Sequence, residues 1–189
     1  MYDLPGNNPL SNAPVNMVTG KFIYPGQWTL SNNFDTEHSF AVPLGVQIIW
    51  VTLIGAGGNT NNVTQDTYFG SSTNPYFKIP GFAAAPAAPI APAGIFASLG
   101  FPGQIGTSAA PFTGGSTPLG MGAREAGAAR NTGWGYGGTD AATVAYPSSG
   151  WFYEVPLFVS SGQVIPFQVS AMLGNSGNLG GAGYLKVEW

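Results

Sequence analysis

Residues 40–58 read FAVPLGVQIIWVTLIGAGG, and positions 46–54 within them decide the fold class. β-Branched and aromatic side chains crowd these nine positions, Pro43-Leu44-Gly45 leads in, and Gly55-Ala56-Gly57-Gly58 stops the run. Such side chains pack well on a pleated surface, while glycine and proline punctuate it, so the segment is a strand at the centre of a sheet. That places Trp50 in the core, where truncation to alanine is expected to cost about 3–5 kcal/mol and to give insoluble protein. At the other end, residues 180–189 read GGAGYLKVEW. Tyr184, Lys186 and Glu188 alternate there with Leu185, Val187 and Trp189, the period-two pattern of a half-buried strand.

Between these two segments the chain changes character several times. Residues 1–20 hold Pro5, Pro9 and Pro14 and no helical or strand period, which predicts an extended N-terminal arm, either a disordered terminus or one lying along a neighbouring subunit with Tyr2, Leu4, Leu10, Val15 and Met17 as anchors. In KFIYPGQWTLSNNF, residues 21–34, Pro25-Gly26 suits the centre of a type II turn and predicts a hairpin. Residues 38–42 are a strand, and 64–69 and 76–79 are weaker candidates. The stretch 80–138 is a long irregular Ala/Pro/Gly-rich insertion, because Pro80, Pro86, Pro89 and Pro92 bar both a helix interior and a central strand. Its apolar residues Ile90, Ile95, Leu99, Ile105 and Phe112 predict that it folds against something, a neighbouring subunit above all. A short helix is conceivable only over residues 123–129, which are weakened by glycine. Strands return at 141–146, 150–158 and 164–172. About eight strands with a long central excursion make an all-β domain over residues 21–189, a β-sandwich for which the jelly roll is one available form.

Composition narrows the function. Charged residues are 7% of the 189 against about 25% in an ordinary soluble domain, while 44% are hydrophobic and 13% aromatic. The chain has enough apolar surface to fold, and so uncharged an exterior implies that other subunits cover much of it. A net charge of −3 with five scattered Lys and Arg excludes a nucleic-acid partner. Cysteine is absent, so there are no disulfides or thiolate metal sites. No apolar run reaches the roughly 20 residues that would insert into a membrane, and MYDLPGNNPL lacks the features of a secretory signal.

Little in the sequence carries reactive chemistry. His38 sits beside Asp35 and Glu37 in FDTEHSF, but on a regular strand it points away from them and reads as an exposed or capped edge residue. No G-x-S-x-G elbow exists, and no two carboxylates are singled out as a glycosidase pair. GNTNNVTQD, residues 58–66, is oxygen-rich but holds one carboxylate and reads as a turn, not a calcium loop. GWGYGG, residues 133–138, lacks the flanking strand and helix of a nucleotide motif. Its Trp134 and Tyr136 can instead pack on a neighbouring loop or present an aromatic platform to a saccharide or protein. Phe82, Phe96 and Phe101 of the insertion join them as candidate interaction residues. No catalytic, cofactor or metal residue is assigned.

Three blocks carry a family likeness. Phe40, Val42, Pro43, Gly45 and Val46 lead to residues 51–55; Val159, Gly162, Gln163, Ile165 and Val169 follow after a glycine-rich middle; and Gly183, Val187, Glu188 and Trp189 close the chain. In this order they resemble the glycine-rich domain of bacteriophage tail-fibre and adhesin proteins, over roughly two thirds of the sequence. The chain departs from the polyglycine-bearing members, since its longest glycine run is two residues. The resemblance implies a phage virion component without fixing its position, and it favours the tail. With no reactive site assigned, the expectation is a non-enzymatic virion protein assembled in the host cytoplasm, a tail-fibre or tail-tip component contacting a host-surface saccharide or protein. A capsid decoration or head-fibre protein is the alternative, and a polysaccharide depolymerase the third reading. The expected partners are other virion proteins and further copies of the chain, as a homotrimer.

Overall fold

The computed structural model describes residues 19–26, 28–29, 36–57, 65–81, 89–91, 100–102, 115–120, 134–135, 148–173 and 181–189. Every regular element among them is a strand: β1 Lys21–Pro25, β2 Trp28–Thr29, β3 His38–Ala41, β4 Ile48–Ile54, β5 Thr67–Gly70, β6 Pro75–Ile79, β7 Gly100–Phe101, β8 Trp151–Phe158, β9 Val164–Gln168, β10 Met172–Leu173 and β11 Tyr184–Glu188. They form a five-stranded sheet in the order β1-β11-β4-β8-β7, a four-stranded sheet in the order β3-β9-β5-β6, and a short parallel pair, β10-β2.

Setting aside the three two-residue strands, the pairing has a simple rule. The first of the remaining eight strands pairs with the last (β1·β11), the second with the seventh (β3·β9), the third with the sixth (β4·β8) and the fourth with the fifth (β5·β6), all antiparallel. These eight strands form one long doubled ribbon whose tip is the β5–β6 turn. It winds on itself so that β4 also lies beside β11 and β5 beside β9. This is the arrangement of a jelly roll, in which two sheets share one core.

Alternation along each strand supplies that core. Ile49, Val51 and Leu53 of β4, Phe152, Val155 and Leu157 of β8, and Leu185 and Val187 of β11 face Phe40, Phe69, Phe77, Ile165 and Phe167 of the other sheet. Rings meet across the layers, Phe77 with Phe152 at 4.9 Å and Phe22 with Phe167 at 5.7 Å between centroids. At one margin of the core a buried hydroxyl pair closes the seam. Ser170 Oγ accepts the Ala56 amide at 2.8 Å and lies 2.6 Å from Thr67 Oγ1, which accepts the Ser170 amide at 2.9 Å.

Two expectations are corrected. Trp50 is not a core residue: it is 43% exposed, because it alternates with fully buried Ile49 and Val51 and so stands on the outer face. The Pro25-Gly26 hairpin is not formed either. β1 pairs with β11 and β2 with β10, and the Gly26 amide donates to the Gly183 carbonyl at 2.8 Å. A Cβ at Gly26 would come within 2.7 Å of two carbonyl oxygens, so glycine serves close backbone approach there and not a turn. The arm at residues 1–18, the helix candidate at 123–129 and the strand candidate at 141–146 lie outside the described residues.

Candidate interaction surfaces

The ribbon sorts its connections to opposite ends. Turns 43–47, 71–74 and 159–163 are short, and they share one end with Gly20 and Trp189, whose backbones exchange two hydrogen bonds of 2.9 and 3.1 Å. The connections that leave β1, β4, β6 and β9 at the other end are the long ones. They include the whole 80–138 insertion.

At the short-turn end the two motif blocks meet in space. The Val42 amide donates to the Gln163 carbonyl at 2.8 Å and the Gly162 amide to the Val42 carbonyl at 3.1 Å. The Gly45 amide donates to Ser161 Oγ at 2.8 Å, and the side-chain Nε2 of Gln163 to the Tyr76 hydroxyl at 3.0 Å. Gly45 and Gly162 have φ of 86° and 75°, a conformation glycine adopts without steric cost. Those motif residues are the chemistry of two turns knitted into one rigid cap. Beside the cap lies a shallow groove of about 710 Å³ lined by Tyr76, Phe158 and the 159–163 turn.

The insertion is pinned to both sheets. Ile90 exchanges backbone hydrogen bonds of 2.7 and 2.8 Å with Lys78 on the outer edge of β6, and β7 pairs with the start of β8. Each contact covers part of a strand edge that would otherwise offer unpaired backbone groups. Phe101 is half exposed and stacks on Trp151 with centroids 5.8 Å apart. Trp134 stacks on Tyr184 at 5.5 Å, and its amide donates to the Leu119 carbonyl at 3.0 Å. Gly135, at φ 66°, donates to the Ala182 carbonyl and accepts from the Ser149 amide. Trp134 and Phe101 are therefore attached to the scaffold through aromatic partners. Phe82, Phe96 and Tyr136 lie outside the described residues.

The outer face of the five-stranded sheet holds residues that the sequence reading passed over. Phe152 and Val155 both point into the core although three positions apart, because a bulge against Thr52 adds one residue to β8. Tyr153 and Glu154 consequently both face outward, with Glu154 at φ 50° and its amide donating to Thr52 Oγ1 at 3.2 Å. Lys186 stands opposite, 3.3 Å from Glu154, 2.7 Å from Glu188 and 5.8 Å from the centre of the Tyr153 ring. Partial burial pulls the Lys186 pKa down, but hydrogen bonds to the two carboxylates outweigh this and hold it above the ordinary lysine value. This cluster is an ion-pair network. A glycosidase acid must be kept protonated by burial in an apolar pocket, whereas these carboxylates share an ammonium at the surface.

Next to the cluster, Ile48 pairs with Phe158 and Trp50 with Pro156 across β4 and β8, all four side chains outward. Phe158 is 75% exposed, and the stripe continues past β4 to Leu44, 83% exposed, whose side chain lies against Gly162. The signal that would have found the stripe is the second parity of the 46–54 run, hidden because both parities are apolar.

Other groups with chemical potential are engaged structurally. His38 Nε2 lies 2.6 Å from the Tyr24 hydroxyl, on the edge strand β3. Asp66 pairs with Lys78 and accepts the Gly81 amide at 2.6 Å. Among the described residues no group of three His, Asp or Glu side chains could hold a metal ion, and no helix is long and apolar enough to cross a membrane. Comparison with protein-family models, with curated proteins and with solved structures finds no match.

Proposed function

We propose that the chain is a structural protein of a phage virion, a tail-fibre or tail-tip component that holds its long loops toward the host surface. The observation that carries this reading is the segregation of the two ends. The Gly20–Trp189 backbone pair and the knitted short turns occupy one end, and four long connections leave the strands at the other. A rigid scaffold presenting loops at one end is suited to recognition, and the short-turn end is then free to attach to the rest of the particle. The pinned insertion, with Phe101 and Trp134 stacked on scaffold rings, holds that loop end in place. The motif order of the resemblance supplies the virion setting.

The test is location on the particle. Antibody raised against the purified chain should label tail tips in electron micrographs of the phage that encodes it. Labelling confined to heads would replace this reading with capsid decoration, and absence from the particle would end both. A peptide epitope inserted in the 80–138 segment should be reached by antibody on intact particles, whereas one inserted in the 159–163 turn should be masked.

A further inference from the structure

We propose that the stripe Leu44, Ile48, Trp50, Pro156 and Phe158 is the seam of a homotrimer and lines its three-fold axis; the proposal rests on the reading of the chain as an oligomeric virion component. Three observations support it. The first is area. With aromatic side chains taken at roughly 150–250 Å² each, the exposed part of the stripe is on the order of 500 Å², at the large end for the apolar patches of a monomer's surface and of a size that is often functional. Apolar atoms make up about 65% of a homo-oligomeric interface, so such a patch implies roughly 800 Å² of buried surface on each chain, shared in a trimer between its two neighbours.

The second is charge. On the β11 side the stripe is bordered by Lys186, Glu154 and Glu188, already paired with one another, and by Lys21, which faces Glu188 across β1 and β11. Two positive and two negative groups leave no net charge to steer a strongly charged partner, and nothing in them repels an identical face. The third is shape. The stripe is two strands wide, about 5 Å between strand axes, and runs along the strands. A two-fold contact laying one sheet face flat on another would bury the ion cluster as well, at a desolvation cost of several kcal/mol. Closure about a three-fold axis buries only the narrow stripe and leaves the cluster at the rim. Pro25 on the β1 edge and Pro156 on β8 disfavour the competing mode, in which strands of two copies join edge to edge.

Light scattering on the full chain at micromolar concentration tests this. One chain is 19.5 kDa, so wild type should run at three times that mass, about 58 kDa. Phe158→Glu and Trp50→Glu should each fall threefold in mass while keeping an all-β circular dichroism spectrum. Val164→Glu, at an exposed apolar residue of the other sheet, should stay trimeric. Should the glutamate variants precipitate, cysteine replaces them, since the chain has none. Phe158→Cys should give a covalent dimer band on mild oxidation, and Val164→Cys none. A monomeric or dimeric wild type overturns the proposal, as does a Phe158→Glu variant that stays trimeric or a Phe158→Cys variant that does not cross-link. A trimer that survives Phe158→Glu moves the seam elsewhere and leaves the virion reading intact. Loss of tail labelling with a trimer that dissolves does the reverse.

Discussion

Trp50 and Leu53 stand three positions apart in the same strand and should respond to truncation in opposite ways. Leu53 is fully buried and belongs to the shared core. Leu53→Ala is expected to cost about 2–5 kcal/mol, because the surrounding sheets cannot close the hole. Trp50→Ala should cost under about 1 kcal/mol of fold stability, as surface substitutions do. Urea titration in the Phe158→Glu background checks both without a contribution from assembly. The sequence made Trp50 look buried because Ile48, Trp50 and Ile54 are as apolar as Ile49, Val51 and Leu53. Period two cannot be read when both faces carry the same chemistry, and only the partner strands reveal which set is covered. Tyr68 gives a second prediction at this scale. Burial first, then its hydrogen bond to Glu37 at 2.8 Å, push its pKa up to about 12 from the usual 10. Between these values the unfolded chain ionises while the native phenol does not, so the native state binds more protons and stability falls as pH rises. The melting temperature should hold up to about pH 10 and decline from there to about 12. Tyr68→Phe should flatten that decline; an unchanged slope would place its origin elsewhere, Tyr184 being the next group with a raised pKa.

At the scale of elements, local grammar located strands and missed their partners. The strands at 38–41, 75–79, 151–158, 164–168 and 184–188 fall where alternation and turn residues put them, while the one expected at 64–69 runs from 67 to 70. Pro25-Gly26 misled because a turn signal describes only four residues, whereas β1 takes its partner from the far end of the chain. The insertion was legible as barred from central strands, and Ile90 and Gly100–Phe101 do join only at edges. What composition could not convey is that a glycine locks its end to the scaffold. A Cβ on Gly135 would lie 2.7 Å from the Gly55 carbonyl oxygen and closer still to Ile54, at a φ of 66° that side chains resist. Gly135→Ala should therefore cost more than the roughly 1–2 kcal/mol of a left-handed backbone alone, lowering the melting temperature by about 5–10 °C. Gly45→Ala is the control: its φ is 86°, but its Cβ would meet nothing within 4 Å. It should lose less than half as much. Equal losses would mean that close packing around Gly135 contributes nothing.

At the scale of the molecule, the class of fold was readable and the winding was not, since no window of sequence reports that residue 21 faces residue 188. The nested pairing also has a temporal consequence. Among the eight nested strands, only the β5–β6 hairpin joins near neighbours; each further pair encloses the last, and the loop to be closed grows at every stage. Such high contact order makes folding slow, and the order of events should run from the tip of the ribbon outward. Pulsed hydrogen exchange during refolding should show amides of β5 and β6 protected before those of β1 and β11; simultaneous protection would refute a zipping order. On the ribosome the constraint is sharper. β1 is made first of the eight yet cannot be paired until β11 has emerged, so the nascent chain must carry its apolar strands unsealed while all the intervening strands are made, and chaperone demand should fall abruptly once β11 appears rather than gradually strand by strand.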